Sequence, residues 1–346
     1  MGPDFALDET QEEIVRLAAE VLDGNVDTPE RCWKALGQAG LLSLAVPVEA
    51  GGAGLGVVET GLVLGEIGRR ALNVPGLSTL ALGVLPVARW GSPAQQRELL
   101  SEVAAGRLLT AAISEPGNPL TEISGTSGSG TRRVTGLKVG VRDAEQACRI
   151  LVPVSMVDGA AAVVLVDPAG PGVSLNRTPT SSGAPEFAVR FEDAPGELLA
   201  GCRPTDLHRY AIAGACALGE GALAGALELT AGHVRTREQF GRPLATFQAV
   251  AQQIADVYVT ARTLRLATMA ACWGMTDADL WTAAHWLTAE APAALRTCHH
   301  LHGGLGLAAD YPLHRYGALI RDLARFLGGA EHCLERLGAH RARRPD

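Results

Sequence analysis

The 346-residue sequence predicts an α+β fold made of three successive regions. Apolar residues recur with a helical period through residues 1–106, and the same period returns through residues 201–346. Between them, residues 107–200 carry short runs of Val, Leu and Ile separated by turn residues. We therefore predict an N-terminal helical domain, a middle β-barrel or β-sandwich domain, and a C-terminal domain of the four-helix-bundle type.

The N-terminal region opens with an amphipathic helix whose apolar positions run from Ile14 to Leu22. Thr10 and Glu13 have the spacing of a capping box ahead of this run. The glycine-rich stretch at 49–56 predicts a loop. Further helices are predicted at 29–38, 57–72, 79–90 and 93–105.

The middle region is rich in β-branched residues and in turn residues, which is typical of strands. A polar Ser-Gly-Thr-Ser-Gly-Ser-Gly run at 124–130 predicts a flexible connection inside this region. The predicted strands are 107–114, 132–141, 148–154, 160–167 and 185–192.

The C-terminal region begins with a long helical segment at 206–238, whose many small residues permit close helix packing. A second helix is predicted from Thr246 to Trp273, with one apolar stripe along it. The remaining predicted helices are 277–302, interrupted at Pro292, 312–327 and 329–340.

Charge and composition exclude several classes of partner. The net charge is −7, and the only Lys/Arg cluster is at Arg341–Arg344, so a nucleic-acid partner is not expected. No apolar run approaches the roughly 20 residues of a membrane span, and the N-terminus lacks a signal-peptide core. Seven cysteines without a Cys-x-x-Cys pair predict reduced thiols and a cytoplasmic location.

Common nucleotide and hydrolase motifs are missing from the sequence. It has no Gly-x-Gly-x-x-Gly fingerprint, phosphate-binding loop or Gly-x-Ser-x-Gly elbow, which argues against a nicotinamide fold and a serine hydrolase. Cys298, His299, His300 and His302 are metal-ligand types, but neighbouring side chains on a helix point about 100° apart. A pair four residues apart, such as Cys298 and His302, could share an ion, but we predict no metal site. The other interpretation is a helix that ends at Gly303-Gly304.

Two segments suit a diphosphate ligand. Residues 235–248 read Arg-Thr-Arg-Glu-Gln-Phe-Gly-Arg-Pro-Leu-Ala-Thr-Phe-Gln, a polar interruption between two helical segments. The guanidinium of Arg237 can meet phosphate oxygens with two hydrogen bonds, and Gly303-Gly304 lack the Cβ atoms that keep a backbone away from a cofactor. Taken alone, Arg237 also fits a surface cation at a helix end.

The motif from Arg237 to Gln248, followed by the segment 299–322 in a helical, β, helical chain, resembles the acyl-CoA dehydrogenase family over essentially the whole sequence. Members bind FAD between subunits and remove two hydrogens from the α and β carbons of an acyl-CoA thioester. A carboxylate takes the α proton, and the flavin accepts the β hydride. By this resemblance, the FAD-contacting residues are Arg237, Gln239, Phe240, Phe247, Gln248, His300, Gly303 and Gly304.

The chain departs from the family at the catalytic base. Gly328 occupies the position where the family usually carries its Glu. Glu331 follows three residues later, on another face of the next helix, and the alternative family position in the first C-terminal helix falls near Ala211. Glu220 is a base only if the register of that helix differs. We therefore assign no catalytic residue.

The segments that line the flavin ring in the family also differ. Ser114-Glu115-Pro116-Gly117 is followed by Asn118-Pro119-Leu120, and Lys138 is followed by Val139-Gly140-Val141. The family instead has a Gly-Ser-Asp turn and a Trp-Ile-Thr-Asn strand. The family's residues on the flavin-ring side are therefore replaced in this chain, while the motif that reaches a neighbouring subunit is retained.

This asymmetry resembles the small non-catalytic subunit of the α2β2 acyl-CoA dehydrogenases of actinobacterial steroid side-chain catabolism, most closely at 177–183 and 298–304. The resemblance implies a heterotetramer in which a second subunit supplies the base. It also implies a cholesterol-type side-chain acyl-CoA as substrate and an electron-transfer flavoprotein as acceptor. Two alternatives remain: a self-sufficient homomeric enzyme that uses Glu220, and a structural relative that has lost flavin.

Overall fold

The computed structural model describes residues 5–24, 28–118, 127–128, 133–156 and 158–342. Helical and β regions follow one another in the predicted order, which confirms the α+β class. Contacts divide the chain into two compact units. One comprises Leu7–Val63 and Asn73–Gly214, and the other comprises Leu64–Leu72 with the chain from Ala215 onward. The division into three domains at 106 and 200 stays a prediction.

Among the described residues of the N-terminal region, five α-helices form: α1 Glu9–Asp23, α2 Pro29–Gln38, α3 Val57–Arg69, α4 Leu85–Trp90 and α5 Pro93–Leu100. The capping box predicted at Thr10 and Glu13 is wrong. The carboxylate of Asp8 accepts the backbone N–H of Gln11 at 2.8 Å, and the Gln11 side chain accepts the backbone N–H of Asp8 at 3.3 Å. Asp8 with Gln11 therefore satisfies two N-terminal donors two residues earlier than expected.

The predicted helix at 79–90 starts as a π-helix, Leu77–Val84, and continues as α4. The Thr79 hydroxyl donates to the carbonyl of Leu109 at 3.2 Å. A Cβ on Gly83 would lie 2.2 Å from the Cβ of Leu109, so this turn has no room for a side chain. The apolar periodicity of the segment does not distinguish a π-helix from an α-helix.

The part of the middle region that the structure describes contains seven strands: β1 Leu108–Ala111, β2 Ser127–Gly128, β3 Arg133–Arg142, β4 Ala147–Met156, β5 Ala161–Val166, β6 Val173–Thr178 and β7 Glu186–Leu198. The pairings β4–β2, β2–β3, β3–β7, β7–β5 and β5–β4 return to the starting strand, so the sheet closes as a barrel. β1 adds to β4 and β6 adds to β7. Buried side chains such as Val152, Val164 and Phe191 fill its core.

The strand β6 is missing from the sequence-based prediction. Its residues, Val-Ser-Leu-Asn-Arg-Thr, include four polar side chains, and the strand is partly exposed along its length. Val173 and Leu175 are partly buried against the barrel core, and the pairing with β7 adds backbone hydrogen bonds. The predicted flexible connection at 124–130 lies outside the described residues except for β2.

The C-terminal region contains α6 Pro204–Thr236, β8 Glu238–Gln239, β9 Arg242–Pro243, α7 Gln248–Gly274, α8 Asp277–Ala289, α9 Ala291–His302, α10 Leu313–Phe326 and α11 Gly329–Ala342. Pro292 lies in the first turn of α9, where its missing N–H costs no helical hydrogen bond. The predicted helix at 277–302 is therefore two helices. The predicted end of the first helix at 238 shifts to Thr236, because the next residues form the β8–β9 hairpin.

Glycines bring the end of α3 very close to α6. A Cβ on Gly221 would lie 1.9 Å from the carbonyl oxygen of Gly65, and a Cβ on Gly225 would lie 2.0 Å from the carbonyl oxygen of Arg69. A Cβ on Gly68 would lie 2.0 Å from the carbonyl oxygen of Leu218. Small residues on both helices therefore permit the close packing that the sequence predicts.

The helix α6 is long and apolar enough to cross a membrane, contrary to the expectation that no apolar run approaches that length. Its most apolar 18-residue window has a mean hydropathy of 1.4, and 83% of that window is buried in the protein. Burial of this extent is typical of the core helix of a bundle. All seven cysteines are free thiols.

Candidate functional site

The Arg237 segment forms a short hairpin between α6 and α7. The backbone N–H of Arg237 donates to His233 at the end of α6, and the Arg237 carbonyl accepts the N–H of Leu244, both at 2.8 Å. Strands β8 and β9 pair in an antiparallel manner, with Phe240 and Gly241 at the turn. The segment is therefore both a connection between helices and an exposed projection.

Phe240 has an unusual backbone and an unusual environment. Its φ is 54°, followed by a φ of 78° at Gly241, as a two-residue hairpin turn of type I′ requires. A left-handed conformation costs a non-glycine residue about 1 kcal/mol or more. The Phe240 side chain is 92% exposed, so burial within this chain does not offset that cost. Such a residue indicates a surface built for contact with another molecule.

Phe247 organises the tip of this hairpin. Its ring lies edge-on to the Phe240 ring, with centroids 6.1 Å apart, and the Arg242 guanidinium lies 4.1 Å from the Phe247 centroid. The second contact is a cation–π interaction that the sequence pattern did not reveal. Phe247 thus packs against the exposed Phe240 ring at the turn of the hairpin.

The Gly303-Gly304 segment presents open backbone. α9 ends at His302, and Gly303 has φ 58° and ψ −139°, a combination that requires glycine. A Cβ at either glycine would meet nothing within 4 Å. A ligand can therefore approach this backbone closely, and the structure agrees with the interpretation of Gly303 as the end of a helix.

The structure brings the Arg237 segment and the Gly303 segment together through stacked rings. The imidazoles of His233, one turn before Arg237, and His302, directly before Gly303, have centroids 4.4 Å apart at 19°. The hydroxyl of Tyr311 lies 3.0 Å from Nε2 of His302. His233 is not among the site residues predicted from the sequence, although its place in the last turn of α6, just before Arg237, is a local signal that could have pointed to it.

The other predicted contact residues lie at the surface. Gln248 is exposed at the start of α7, and His300 is exposed in the last turn of α9. The Gln239 side chain is also exposed, and its amide donates to the carbonyl of Glu238 at 2.8 Å. Their contact with a cofactor stays a prediction.

The position expected to hold a base has a glycine-specific backbone. Gly328 has φ 86° and Gly329 has φ 84°, so the turn between α10 and α11 uses two consecutive left-handed residues. Glu331 is exposed in the first turn of α11, and Ala211 is fully buried in α6.

Glu220 is buried within α6 beside Arg265, whose Nη1 lies 3.5 Å from its Oε1. Burial raises the pKa of Glu220, while Arg265 and Arg69 lower it and Glu66 raises it further. The carboxylate fits against Gly65, where a Cβ would lie 3.1 Å from Oε1. Glu220 therefore takes part in a charged cluster between α3, α6 and α7. The ion pairs of this cluster join Arg69 and Arg70 to Glu66, Arg69 to Glu228, and Arg265 to Glu220.

An ion pair fixes the loop that follows β1. Nζ of Lys138 lies 2.7 Å from Oε1 of Glu115, and the Lys138 side chain is completely buried. Burial lowers the pKa of Lys138, and the bond to Glu115 opposes that shift. The N–H of Val139 donates to the carbonyl of Ser114 at 3.0 Å, which ties the loop to β3. Pro119 and Leu120, part of the departure from the family pattern, lie outside the described residues.

The cluster of metal-ligand residue types in α9 does not assemble a metal site. His302 directs Nδ1 to the carbonyl oxygen of Cys298 at 2.8 Å, rather than toward an ion shared with the thiol. Within the ranges that the structure describes, no three His, Cys, Asp or Glu residues converge on one point.

Comparisons with known proteins match both helical regions. The model of the acyl-CoA dehydrogenase N-terminal domain matches residues 4–107, and that of the C-terminal domain matches residues 205–343. Acyl-CoA dehydrogenase FadE28 of Mycobacterium tuberculosis is 41% identical over 344 residues, which cover 97% of this chain and 98% of that protein. The chain belongs to the acyl-CoA dehydrogenase family.

Two solved structures extend this similarity to multi-chain members of the family. The Tcur3481-Tcur3483 steroid ACAD G363A variant is 33% identical with a TM-score of 0.91, covering 96% of this chain and 98% of that chain. The ChsE4-ChsE5 complex from Mycobacterium tuberculosis is 32% identical with a TM-score of 0.89, covering 99% and 100%. The resemblance to heteromeric steroid acyl-CoA dehydrogenases is thereby confirmed.

The residues present fit one end of an FAD molecule. Arg237 offers an exposed cation, Phe240 an exposed ring, and Gly303 and Gly304 an open backbone. This set suits a nucleotide with a diphosphate. In contrast, the loop that would face a flavin ring in the family contains the Glu115–Lys138 ion pair, which is engaged within this chain.

Proposed function

We propose that this chain is a subunit of a heteromeric, FAD-dependent acyl-CoA dehydrogenase and completes an FAD site of its partner subunit. The substrate is a CoA thioester whose acyl group is a cholesterol-type steroid side chain. The similarity to the Tcur3481-Tcur3483 steroid ACAD and to the ChsE4-ChsE5 complex supports a second, different subunit. An electron-transfer flavoprotein is the proposed electron acceptor, and the cytoplasm is the proposed location.

The observation that carries this proposal is the conformation of Phe240. Its backbone is left-handed, yet its side chain is 92% exposed, so the chain bears a conformational cost without burying the ring. Contact with a second molecule would offset that cost. Arg237 precedes the same hairpin and would supply charge to the diphosphate of the partner's FAD.

The chemistry divides between the two subunits in this proposal. FAD supplies a hydride acceptor when bound. Arg237, Phe240, Gln248 and the backbone of Gly303-Gly304 hold its nucleotide end, with Gln239, Phe247 and His300 alongside. The base that takes the α proton belongs to the partner, because Gly328 replaces the usual Glu.

Replacing Arg237 with Ala in the complex is expected to weaken FAD binding by about tenfold to a hundredfold. The substitution removes a charge-assisted contact worth about 1.5–3 kcal/mol. Arg235→Ala, an exposed arginine two residues earlier on α6, is the matched control and should leave affinity within about twofold, since surface changes away from such contacts have small effects. Flavin fluorescence during an FAD titration measures the affinity of both variants. Equal affinities for the two variants would exclude the role given to Arg237.

The alternative of a self-sufficient enzyme depends on Glu220. If Glu220 has a structural role, Glu220→Gln in the complex should keep dehydrogenase activity within about threefold, whereas removing a general base costs about 10²–10⁴-fold. Glu228→Gln is the control, because Glu228 lies two turns further along α6 and pairs with Arg69. Loss of activity in Glu220→Gln alone, with unchanged thermal stability, would make Glu220 the base.

A further inference from the structure

His233, His302 and Tyr311 form a small cluster of rings beside the proposed nucleotide contact. The imidazoles of His233 and His302 stack with centroids 4.4 Å apart. The ring of Tyr311 lies 5.2 Å from that of His302, with its hydroxyl 3.0 Å from Nε2. His302 is buried, whereas His233 is half-buried and reaches the surface.

Hydrogen bonds fix both nitrogens of His302. Nδ1 lies 2.8 Å from the carbonyl oxygen of Cys298, which can only accept a hydrogen bond, so Nδ1 carries the hydrogen in the neutral ring. Nε2 then accepts a hydrogen bond from the hydroxyl of Tyr311. His302 is therefore held in a fixed orientation, and the His233 ring stacks on it.

The position of His233 relates it to both proposed anchors. It lies in the last turn of α6, and its carbonyl accepts the backbone N–H of Arg237, the first residue after the helix, at 2.8 Å. Its stacking partner, His302, immediately precedes Gly303. A diphosphate that contacts Arg237 and the Gly303-Gly304 backbone would therefore lie beside the exposed edge of His233.

We propose that His233 is a further binding residue for the diphosphate of FAD, and that His302 and Tyr311 are positioning residues that hold the His233 ring. This inference rests on the proposed function. An imidazolium N–H donates a charge-assisted hydrogen bond to a phosphate oxygen, and this bond is stronger than a neutral one. No other imidazole of the described residues stacks on His302.

Binding in this arrangement is linked to a proton. The groups that act on His233 are His302 on α9 and Arg237, the first residue after α6. Behind His302 lie His299 on α9 and Tyr311 on the following loop. Burial is the largest cause that lowers the pKa of His233, followed by His302 and Arg237, and all three favour the neutral ring before ligand binds. An adjacent phosphate raises that pKa. The bound state therefore holds more protons, and affinity rises as the pH falls.

The experiment measures FAD binding to the complete heteromeric complex between pH 5.5 and 8. We expect the affinity of the wild-type complex to rise as the pH falls, by at most about tenfold per pH unit, since one group takes up at most one proton. Calorimetry in two buffers of different ionisation enthalpy should detect that uptake. His233→Gln should weaken binding several-fold at pH 6 and abolish both the pH dependence and the proton uptake.

Two further variants distinguish the effect of positioning the His233 ring from the effect of its charge. Tyr311→Phe removes the hydroxyl that orients His302 and should reduce the proton uptake while binding remains. His314→Gln is the control: His314 is exposed, directs Nδ1 to the Tyr311 carbonyl at 2.7 Å, and should behave as wild type. If the wild-type complex binds FAD and His233→Gln shows the same affinity and pH profile, this inference alone is overturned. A folded wild-type complex that binds no FAD overturns it together with the proposed function.

Discussion

Gly221→Ala is expected to destabilise the helical unit that contains α6 by about 3 kcal/mol or more. The added Cβ would lie 1.9 Å from the carbonyl oxygen of Gly65 and 2.9 Å from its Cα. These atoms belong to the backbone of α3 and cannot rotate away, so the two helices must separate. At about 2–4 °C per kcal/mol, the unfolding midpoint should fall by about 6–12 °C.

Gly232→Ala is the matched control for this substitution. Gly232 lies on the same helix, and a Cβ there would meet nothing within 4 Å. Alanine has a higher helix propensity than glycine, so this variant should gain about 1 kcal/mol. Thermal unfolding followed by circular dichroism compares the two. Similar unfolding midpoints for both variants would show that the backbones of α3 and α6 are not in close contact at Gly221.

Lys138→Met is expected to destabilise the β unit by about 3–5 kcal/mol, because it leaves the largely buried Glu115 carboxylate without its cation. Adding Glu115→Gln removes the stranded charge and should recover part of that loss. Denaturant unfolding gives the free energies, and faster hydrogen exchange in β3 would locate the effect. A double variant no more stable than Lys138→Met would mean that the two side chains are not coupled.

The boundaries of the elements were predictable where turn chemistry is local. Pro292 starts a helix and Gly303 ends one, and both residues act through their own backbone geometry. The start of α1 was placed too late, because Thr10 and Asp8 both have capping chemistry and only the reciprocal bond with Gln11 selects Asp8. β6 was missed because four of its six residues are polar, and Val173 and Leu175 alone give too short an apolar signal.

The candidate site was predictable only in its parts. The Arg237 hairpin and the Gly303-Gly304 backbone each have a sequence signature, but the contact that joins them does not. His233 and His302 are far apart in the sequence, and nothing local to either indicates that their rings stack. The ion pair between Lys138 and Glu115 likewise depends on how β3 passes the loop after β1.

The central claim is that the flavin contacted by this chain is held by a different polypeptide. The most direct measurement counts FAD in the chain purified alone and in the complex obtained by co-expression with the adjacent reading frame. We expect the chain alone to be colourless and inactive toward acyl-CoA, and the complex to contain one FAD per pair of different subunits. One FAD per subunit in the chain alone, with acyl-CoA dehydrogenation, would contradict the claim, and so would a complex without flavin.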